Sequence, residues 1–154
     1  MKRTSLVTTT TSLTALTAAT AGGLVLALTA AGTAAPARQV THHQLSFTAH
    51  SLASRQVGSD HLIESDKAVK SGHVIGYTAN SCTFDFSAGT AHCWVTFARP
   101  RGELRSKVVV NAATGQSTGR ITGGTGIYHG ATGTVTGQEG SNPDRVKITL
   151  RWTD

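Results

Sequence analysis

The feature that most constrains this chain is an alternation of apolar and polar residues that begins after residue 38. It is clearest in RVKITLRW, residues 145–152, where apolar and polar side chains occupy alternate positions throughout. Because successive side chains of a strand point to opposite faces, a period of two predicts β-strands with one buried face. No segment after residue 38 shows a convincing period of 3.6, so the pattern predicts an all-β domain.

Residues typical of turns divide the alternating region into about eight strands. A turn is expected over residues 66–72, and others at SAGT, NAATG and GSNPD. The predicted strands lie near residues 41–51, 59–65, 73–86, 90–99, 103–111, 116–123, 130–138 and 145–152. Short loops favour antiparallel neighbours, and closing the sheet removes its unpaired edges. We therefore predict an eight-stranded antiparallel up-and-down β-barrel with one disulfide bond, whose interior holds side chains or a small ligand.

The first 37 residues have the three-part organisation of a secretory signal peptide. A basic start precedes the apolar core GGLVLALTAAG, and small residues lead to a cleavage site expected between Ala34 and Arg38. A membrane anchor is the alternative, but the apolar core is shorter than the ~20 residues that a spanning helix needs. We predict a secreted, extracellular protein with its domain over residues 38–154 and no membrane partner after cleavage.

The charge of the mature chain is positive and dispersed. Loss of Lys2 and Arg3 with the leader lowers the formal net charge from +6 to +4, because the leader holds no acidic residue. The remaining Lys and Arg residues are scattered, whereas a nucleic-acid-binding surface concentrates them in a patch or stripe. We therefore predict a solvated basic surface and no nucleic-acid partner.

The two cysteines, Cys82 and Cys93, predict a disulfide bond. An even count in an exported domain favours a disulfide, and the pair lacks the partners for a four-ligand zinc site. Both are equally distant from an expected turn at Ser87–Ala88, so a tight hairpin would place them opposite each other on adjacent strands. There the bond would hold the strand register, and a structural role is the simplest interpretation.

A glycine-rich stretch, TGGTGIYHGATGTV at residues 122–135, resembles the signature of the allene oxide cyclase and dirigent barrel superfamily. The matching positions are Gly123, Gly124, Thr125, Gly126, the aromatic Tyr128, Gly130, Ala131 and Gly133. With the upstream stretch that contains both cysteines, the similarity to secreted bacterial members covers about residues 72–152. Glycines permit positive φ at a sharp turn. We expect a structural corner that buries the tyrosine ring, formed by Gly123, Gly124, Gly126, Tyr128 and Gly130.

The resemblance implies a barrel that binds an apolar small metabolite in its lumen. Allene oxide cyclases hold an unstable epoxide so that one ring stereoisomer forms, and dirigent proteins orient radicals for stereoselective coupling. Neither group needs a cofactor, so the expectation is a cofactor-free isomerase, cyclase or stereochemical guide. A homo-oligomer, dimer or trimer, is a further expectation. Two alternatives stay open: a noncatalytic extracellular carrier of an apolar ligand, and a surface interaction protein with a filled barrel.

Parity along the strands selects the side chains that would line the lumen. The inward face carries the candidate ligand-binding residues, which are His43, Phe47, Phe84, Phe97 and Ser106. The histidines suggest no metal site, because His42 and His43 are adjacent in a strand and point to opposite faces. We therefore expect an organic ligand and no metal ion in the lumen.

The candidate catalytic residues are polar side chains near the same face. Asn80 lies on it by parity, and Glu64 shares the parity of Leu62. A buried carboxyl group acquires a shifted pKa and can donate or accept a proton. Tyr77 has the opposite parity, but a bulge in the long third strand would turn it inwards. Each of the three has a simpler interpretation as a residue of the barrel rim.

The chain departs from the family pattern in its opening strand. Allene oxide cyclases carry a carboxylate there, inside the barrel, whereas VTHHQLSFTAHS contains no Asp or Glu. Of the lumen aspartates of dirigent proteins, only one aligns, loosely, with Asp60. The resemblance therefore carries over the scaffold and not the plant substrates.

Overall fold

The computed structural model describes residues 40–154, which form a closed eight-stranded antiparallel β-barrel, as predicted. The strands are β1 (His42–Val57), β2 (His61–Lys70), β3 (His73–Asp85), β4 (Thr90–Arg99), β5 (Gly102–Asn111), β6 (Gln116–Gly124), β7 (Thr132–Glu139) and β8 (Arg145–Thr153). A 3-10 turn, Gly126–Tyr128, lies between β6 and β7. The predicted leader, residues 1–37, lies outside the described residues. Within residues 40–154, no helix is long and apolar enough to cross a membrane.

The barrel closes because β1 pairs with both β2 and β8. The β1–β8 register runs from His42 opposite Thr153 to His50 opposite Arg145. Each of the other strands pairs with its two sequence neighbours. Closure satisfies the backbone groups that an open sheet would leave at its edges, and it separates an inner face from an outer one.

The second strand is longer than the sequence suggested. A turn was expected over residues 66–72, but β2 continues to Lys70, and only Ser71 and Gly72 adopt positive φ, at 51° and 79°. The alternation of HLIESDKAVK persists through this stretch, with Asp66 and Ala68 buried. A charged residue does not end a strand when its neighbours supply hydrogen bonds, so the expected turn was wrong.

One end of the barrel is closed by the glycine-rich corner. Tyr128 is 1% exposed, and its ring packs edge-on against Trp152 at 5.7 Å between centroids. Gly124 makes this approach possible, because a Cβ atom there would lie 2.6 Å from the Tyr128 Cβ atom. Gly126 has a φ of +57°, which glycine adopts at no steric cost. The corner therefore buries the tyrosine ring against Trp152 at this end of the barrel.

The predicted disulfide joins β3 to β4. Cys82 and Cys93 are directly opposite in the strand register, and their sulfur atoms are bonded. Both side chains are buried, at 8% and 6% exposure, on the inner face of the barrel. The bond thus holds the register of the β3–β4 hairpin from inside.

Removal of the disulfide is expected to destabilise the barrel without changing its fold. A Cys82→Ala/Cys93→Ala double variant should lose about 2–3 kcal/mol of unfolding free energy, since the cross-link restricts the unfolded chain. Urea denaturation followed by far-ultraviolet circular dichroism measures the loss. Reductant should destabilise the wild type and leave the double variant unchanged. Equal stability of the two proteins would show that the bond does not hold the register.

Candidate functional site

A cavity of about 310 Å³ occupies the barrel interior. Its wall is largely apolar and includes the aromatic side chains Phe47, Phe84 and Phe97, all expected there from strand parity. Phe47 and Phe97 stack with ring centroids 4.9 Å apart. Ser106, also expected on this face, lines the wall at 3% exposure. The lumen is therefore not filled by the protein's own side chains.

The mouth of the cavity lies at the barrel end opposite Tyr128. Loop residues Gly115, Pro143 and Asp144 contribute to its wall, and they belong to the β5–β6 and β7–β8 connections. The β6–β7 connection, which carries Tyr128, is at the other end. A ligand would therefore enter between the β5–β6 and β7–β8 loops.

One side of the wall carries a polar cluster, made of Ser51, Glu64, Asp66, Thr78 and Asn80. Glu64 and Asp66 are two positions apart on β2, so both point inwards. In the antiparallel register, Glu64 is opposite Asn80 and Asp66 is opposite Thr78. The hairpin register thus places two carboxyl groups beside an amide and a hydroxyl.

Asp66 is 5% exposed and accepts hydrogen bonds from two residues of β3, Thr78 and Asn80. The Thr78 hydroxyl donates to Asp66 Oδ2, and the Asn80 amide nitrogen donates to the same oxygen over 2.9 Å. Burial of a carboxylate is unfavourable unless such donors replace water. Asn80 and Thr78 therefore hold Asp66 in place at the cavity wall.

The pKa of Glu64 is raised above its ordinary value of 4.5. Burial is the largest cause, because it disfavours the charged form, and the negative charges of Asp66 and Asp144 add to the effect. The neighbouring Ser51 hydroxyl and Asn80 amide act in the opposite direction by favouring the carboxylate. Glu64 thus keeps its proton to a higher pH than an exposed glutamate, and it lines the cavity.

The third catalytic candidate, Tyr77, does not line the cavity. It is 56% exposed on the outer face, opposite Lys67 and Ala98. The β2–β3 ladder is irregular between Ala68 and Val69. Along the ladder, the Tyr77–Lys67 pair lies between this irregularity and the polar cluster. The irregularity therefore does not turn Tyr77 inwards, and the expectation that it would was wrong.

His43 also lies away from the cavity, so its expected place in the ligand-binding wall was wrong. It stacks on Trp152 with ring centroids 5.1 Å apart, and its Nε2 atom is 3.0 Å from Asp154 Oδ1. These contacts place it at the closed end, beside Tyr128. Parity identifies the face of a strand but not the depth along the barrel. Asp60, the loose match to a dirigent aspartate, is exposed in the β1–β2 turn.

Sequence reasoning missed Asp66, Thr78 and Ser51. Asp66 was hidden by the expected turn, although alternation of Leu62, Glu64, Asp66 and Ala68 would have revealed it. Ser51 has the inward parity of Phe47, and Thr78 has that of Asn80, so alternation along β1 and β3 could have found both. Within residues 40–154, no three His, Cys, Asp or Glu side chains converge in a way that would hold a metal ion.

Comparisons with known proteins agree with the barrel. Neither a scan against family models nor a search of curated proteins gave a match. Among solved structures, a pyocyanin demethylase matches with a TM-score of 0.61 and 22% identity, over 71% of this chain and 99% of that one. The pterocarpan synthase dirigent protein GePTS1 matches with a TM-score of 0.63 and 14% identity, over 81% and 98%.

A third similar structure is the Diels-Alderase AbmU from Streptomyces koyangensis, with a TM-score of 0.58 and 15% identity. That match covers 72% of this chain and 63% of the other. At such identities the likeness concerns the fold. The chain therefore shares the barrel fold of dirigent proteins and of several small-molecule enzymes, in agreement with the expectation from its glycine-rich corner.

The raised pKa of Glu64 makes a prediction for stability. The folded state binds this proton more tightly than the unfolded state, so the unfolding free energy should fall as pH rises through 4.5 towards the folded-state pKa. Glu64→Gln removes this dependence while keeping a similar shape. Its stability relative to the wild type should therefore increase over that window and then level off.

Urea denaturation at a series of pH values measures this difference. The matched control is Glu103→Gln, which removes a carboxylate outside the cavity, 3.5 Å from the Arg105 guanidinium. It should not reproduce the gain seen for Glu64→Gln. A relative stability of Glu64→Gln that decreases with rising pH would contradict a raised pKa.

Proposed function

We propose that this protein binds an apolar small molecule inside the barrel and guides its isomerisation or cyclisation, with Glu64 as the proton donor. The observation that carries the proposal is an apolar cavity with one polar side that contains a carboxyl group of raised pKa. Similar folds are named for a demethylase, a dirigent protein and a Diels-Alderase. These names support a small organic substrate.

The chemistry would rest mainly on positioning. The apolar wall holds the body of the ligand, and the polar cluster lies on one side, so the ligand has a preferred orientation. A ligand held in a reactive conformer avoids much of the entropic cost of reaching the transition state. The largely apolar wall would also strengthen interactions with any charge that develops.

Proton transfer would run from the Glu64 carboxyl group to a basic oxygen or carbon of the ligand. The bond from Glu64 oxygen to hydrogen breaks and a bond from hydrogen to the ligand forms. The carboxylate left behind is favoured by the Ser51 hydroxyl and the Asn80 amide. Release of a proton from the rearranged ligand to the same carboxylate restores the acid, so the overall reaction is an isomerisation.

A noncatalytic carrier is the alternative function. The largely apolar wall with its stacked Phe47 and Phe97 would serve ligand retention as well as turnover. In this case the polar cluster would fix orientation and transfer no proton. The two functions differ in whether the ligand leaves the barrel chemically changed.

We further propose that the protein works outside the cytoplasm after removal of its leader. The basic start and apolar core of residues 1–37 support export, and a disulfide bond is favoured in oxidising compartments. A homo-oligomer, dimer or trimer, is proposed from the resemblance to related barrels. The mass of the exported chain tests removal of the leader. Sedimentation velocity of the same protein tests whether it forms a dimer or trimer.

The decisive experiment is native mass spectrometry of the mature, oxidised protein after incubation with extract of its host culture. The bound compound is released and compared with the input by chromatography. An isomer of the input compound supports catalysis, and an unchanged compound supports the carrier. If the folded barrel binds no compound from the extract, both the catalytic and the carrier function are contradicted.

Variants then separate binding from chemistry. Glu64→Gln should reduce turnover by about 10²-fold or more, as expected for loss of a general acid, while the ligand still binds. Asn80→Ala should change turnover less, because it removes a partner of the acid and not the acid itself. Tyr77→Phe, on the outer face, is the matched control and should behave as wild type. Undiminished turnover in Glu64→Gln would remove the proposed proton donor.

A further inference from the structure

The ionisable side chains that line the cavity are all acidic. They are Glu64, Asp66, Glu139 and Asp144. Among residues 40–154, no Lys, Arg or His side chain contributes to the lining. The whole chain nevertheless has a formal net charge of +6. The ionisable lining of the cavity is therefore acidic, whereas the net charge of the whole chain is positive.

The acidic side chains extend from the mouth towards the centre of the cavity. Glu139 packs against Gly115 at the mouth, where a Cβ atom on the glycine would lie 2.7 Å from Glu139 Oε2. The Asp144 backbone accepts a hydrogen bond from the Ser51 backbone over 3.0 Å, which brings Asp144 near Glu64. A cleft lined by one sign of charge attracts ligands of the opposite sign and repels those of the same sign.

Asp66 offers an open acceptor to a ligand. Within residues 40–154, both hydrogen bonds that reach this carboxylate end on Oδ2, from Thr78 and Asn80. Its other oxygen, Oδ1, is left without a protein donor, although the residue is 5% exposed and lines the cavity. A buried carboxylate is stabilised by a cation that forms a hydrogen bond with it.

The aromatic part of the wall suits the same kind of ligand. Phe47, Phe84 and Phe97 line the cavity, and aromatic faces attract cations as well as apolar surfaces. The cavity volume of about 310 Å³ is at the small end for ligand sites, so the ligand is compact. These features together favour an apolar body that carries a single positive group.

We infer that the cavity selects a cationic ligand, an apolar molecule with a protonated amine whose ammonium group donates a hydrogen bond to Asp66 Oδ1. The inference rests on the proposed function, because it names the ligand class of the same cavity. An anionic ligand is disfavoured by the buried Asp66 carboxylate and by the acidic side chains at the mouth. A neutral alcohol can donate to the same oxygen but brings no positive charge to pair with the carboxylate.

Calorimetric titration with three matched probes tests the inference on the mature, oxidised protein near neutral pH and at low ionic strength. The probes are naphthylethylamine, naphthylethanol and naphthylacetate, which share an apolar body and differ in charge. The amine should bind about tenfold or more tightly than the alcohol, because only the amine pairs a positive charge with the carboxylate. The acetate should bind most weakly.

Variants locate the preference within the cavity. Asp66→Asn should bring the amine and the alcohol to similar affinity, whereas Glu103→Gln, outside the cavity, should keep the preference. If Asp66→Asn does not fold, Asp144→Asn at the mouth provides a milder test and should weaken the amine selectively. Added salt should likewise weaken the amine and leave the alcohol unchanged, because screening acts on charge.

The outcomes separate this inference from the proposed function. Equal binding of amine and alcohol by the wild type would overturn the charge selection and leave ligand binding in the cavity intact. Tighter binding of the acetate would also overturn it. Absence of binding by all three probes would overturn both the inference and the proposed cavity site.

Discussion

Pairing of β1 with β8 is the interaction on which the rest of this structure depends. The register from His42 opposite Thr153 to His50 opposite Arg145 joins the first strand to the last. Without it the sheet would have two exposed edges, and alternation would define faces but no interior. With it, the inward residues of all eight strands surround a common space, and a cavity forms at their centre.

The β2–β3 register then determines the chemistry of that space. It sets Glu64 and Asp66 on one wall, each opposite a polar residue of β3. The same burial that raises the pKa of Glu64 makes the hydrogen bonds to Asp66 necessary. The rest of the wall is largely apolar, so the cluster contacts a ligand from one side. The asymmetry of the cavity, more than its volume, supports a role in orienting a ligand.

How far the sequence predicts this site follows from what alternation encodes. A period of two assigns faces, so the inward placement of Phe97 and Glu64 was predictable from parity. Depth and irregularities are not encoded. His43 has the inward parity but lies at the closed end, and Tyr77 stays outside because the irregularity in its ladder does not reverse its face. Asp66 was missed because a charged residue in a polar run is typical of a turn, although the alternation of Leu62, Glu64 and Ala68 continues through it.

Charge selection and proton transfer would support each other in this cavity. A ligand cation beside Asp66 favours the charged form of Glu64, which lowers its pKa and makes it a stronger acid when the ligand is bound. The ammonium group and the Asp66 carboxylate form a neutral pair, so the bound cation offsets the negative charge that disfavours ionisation of Glu64. A neutral ligand would leave the negative charge of Asp66 unpaired, and the pKa of Glu64 would stay raised. The acid is therefore best matched to a substrate that carries its own positive charge.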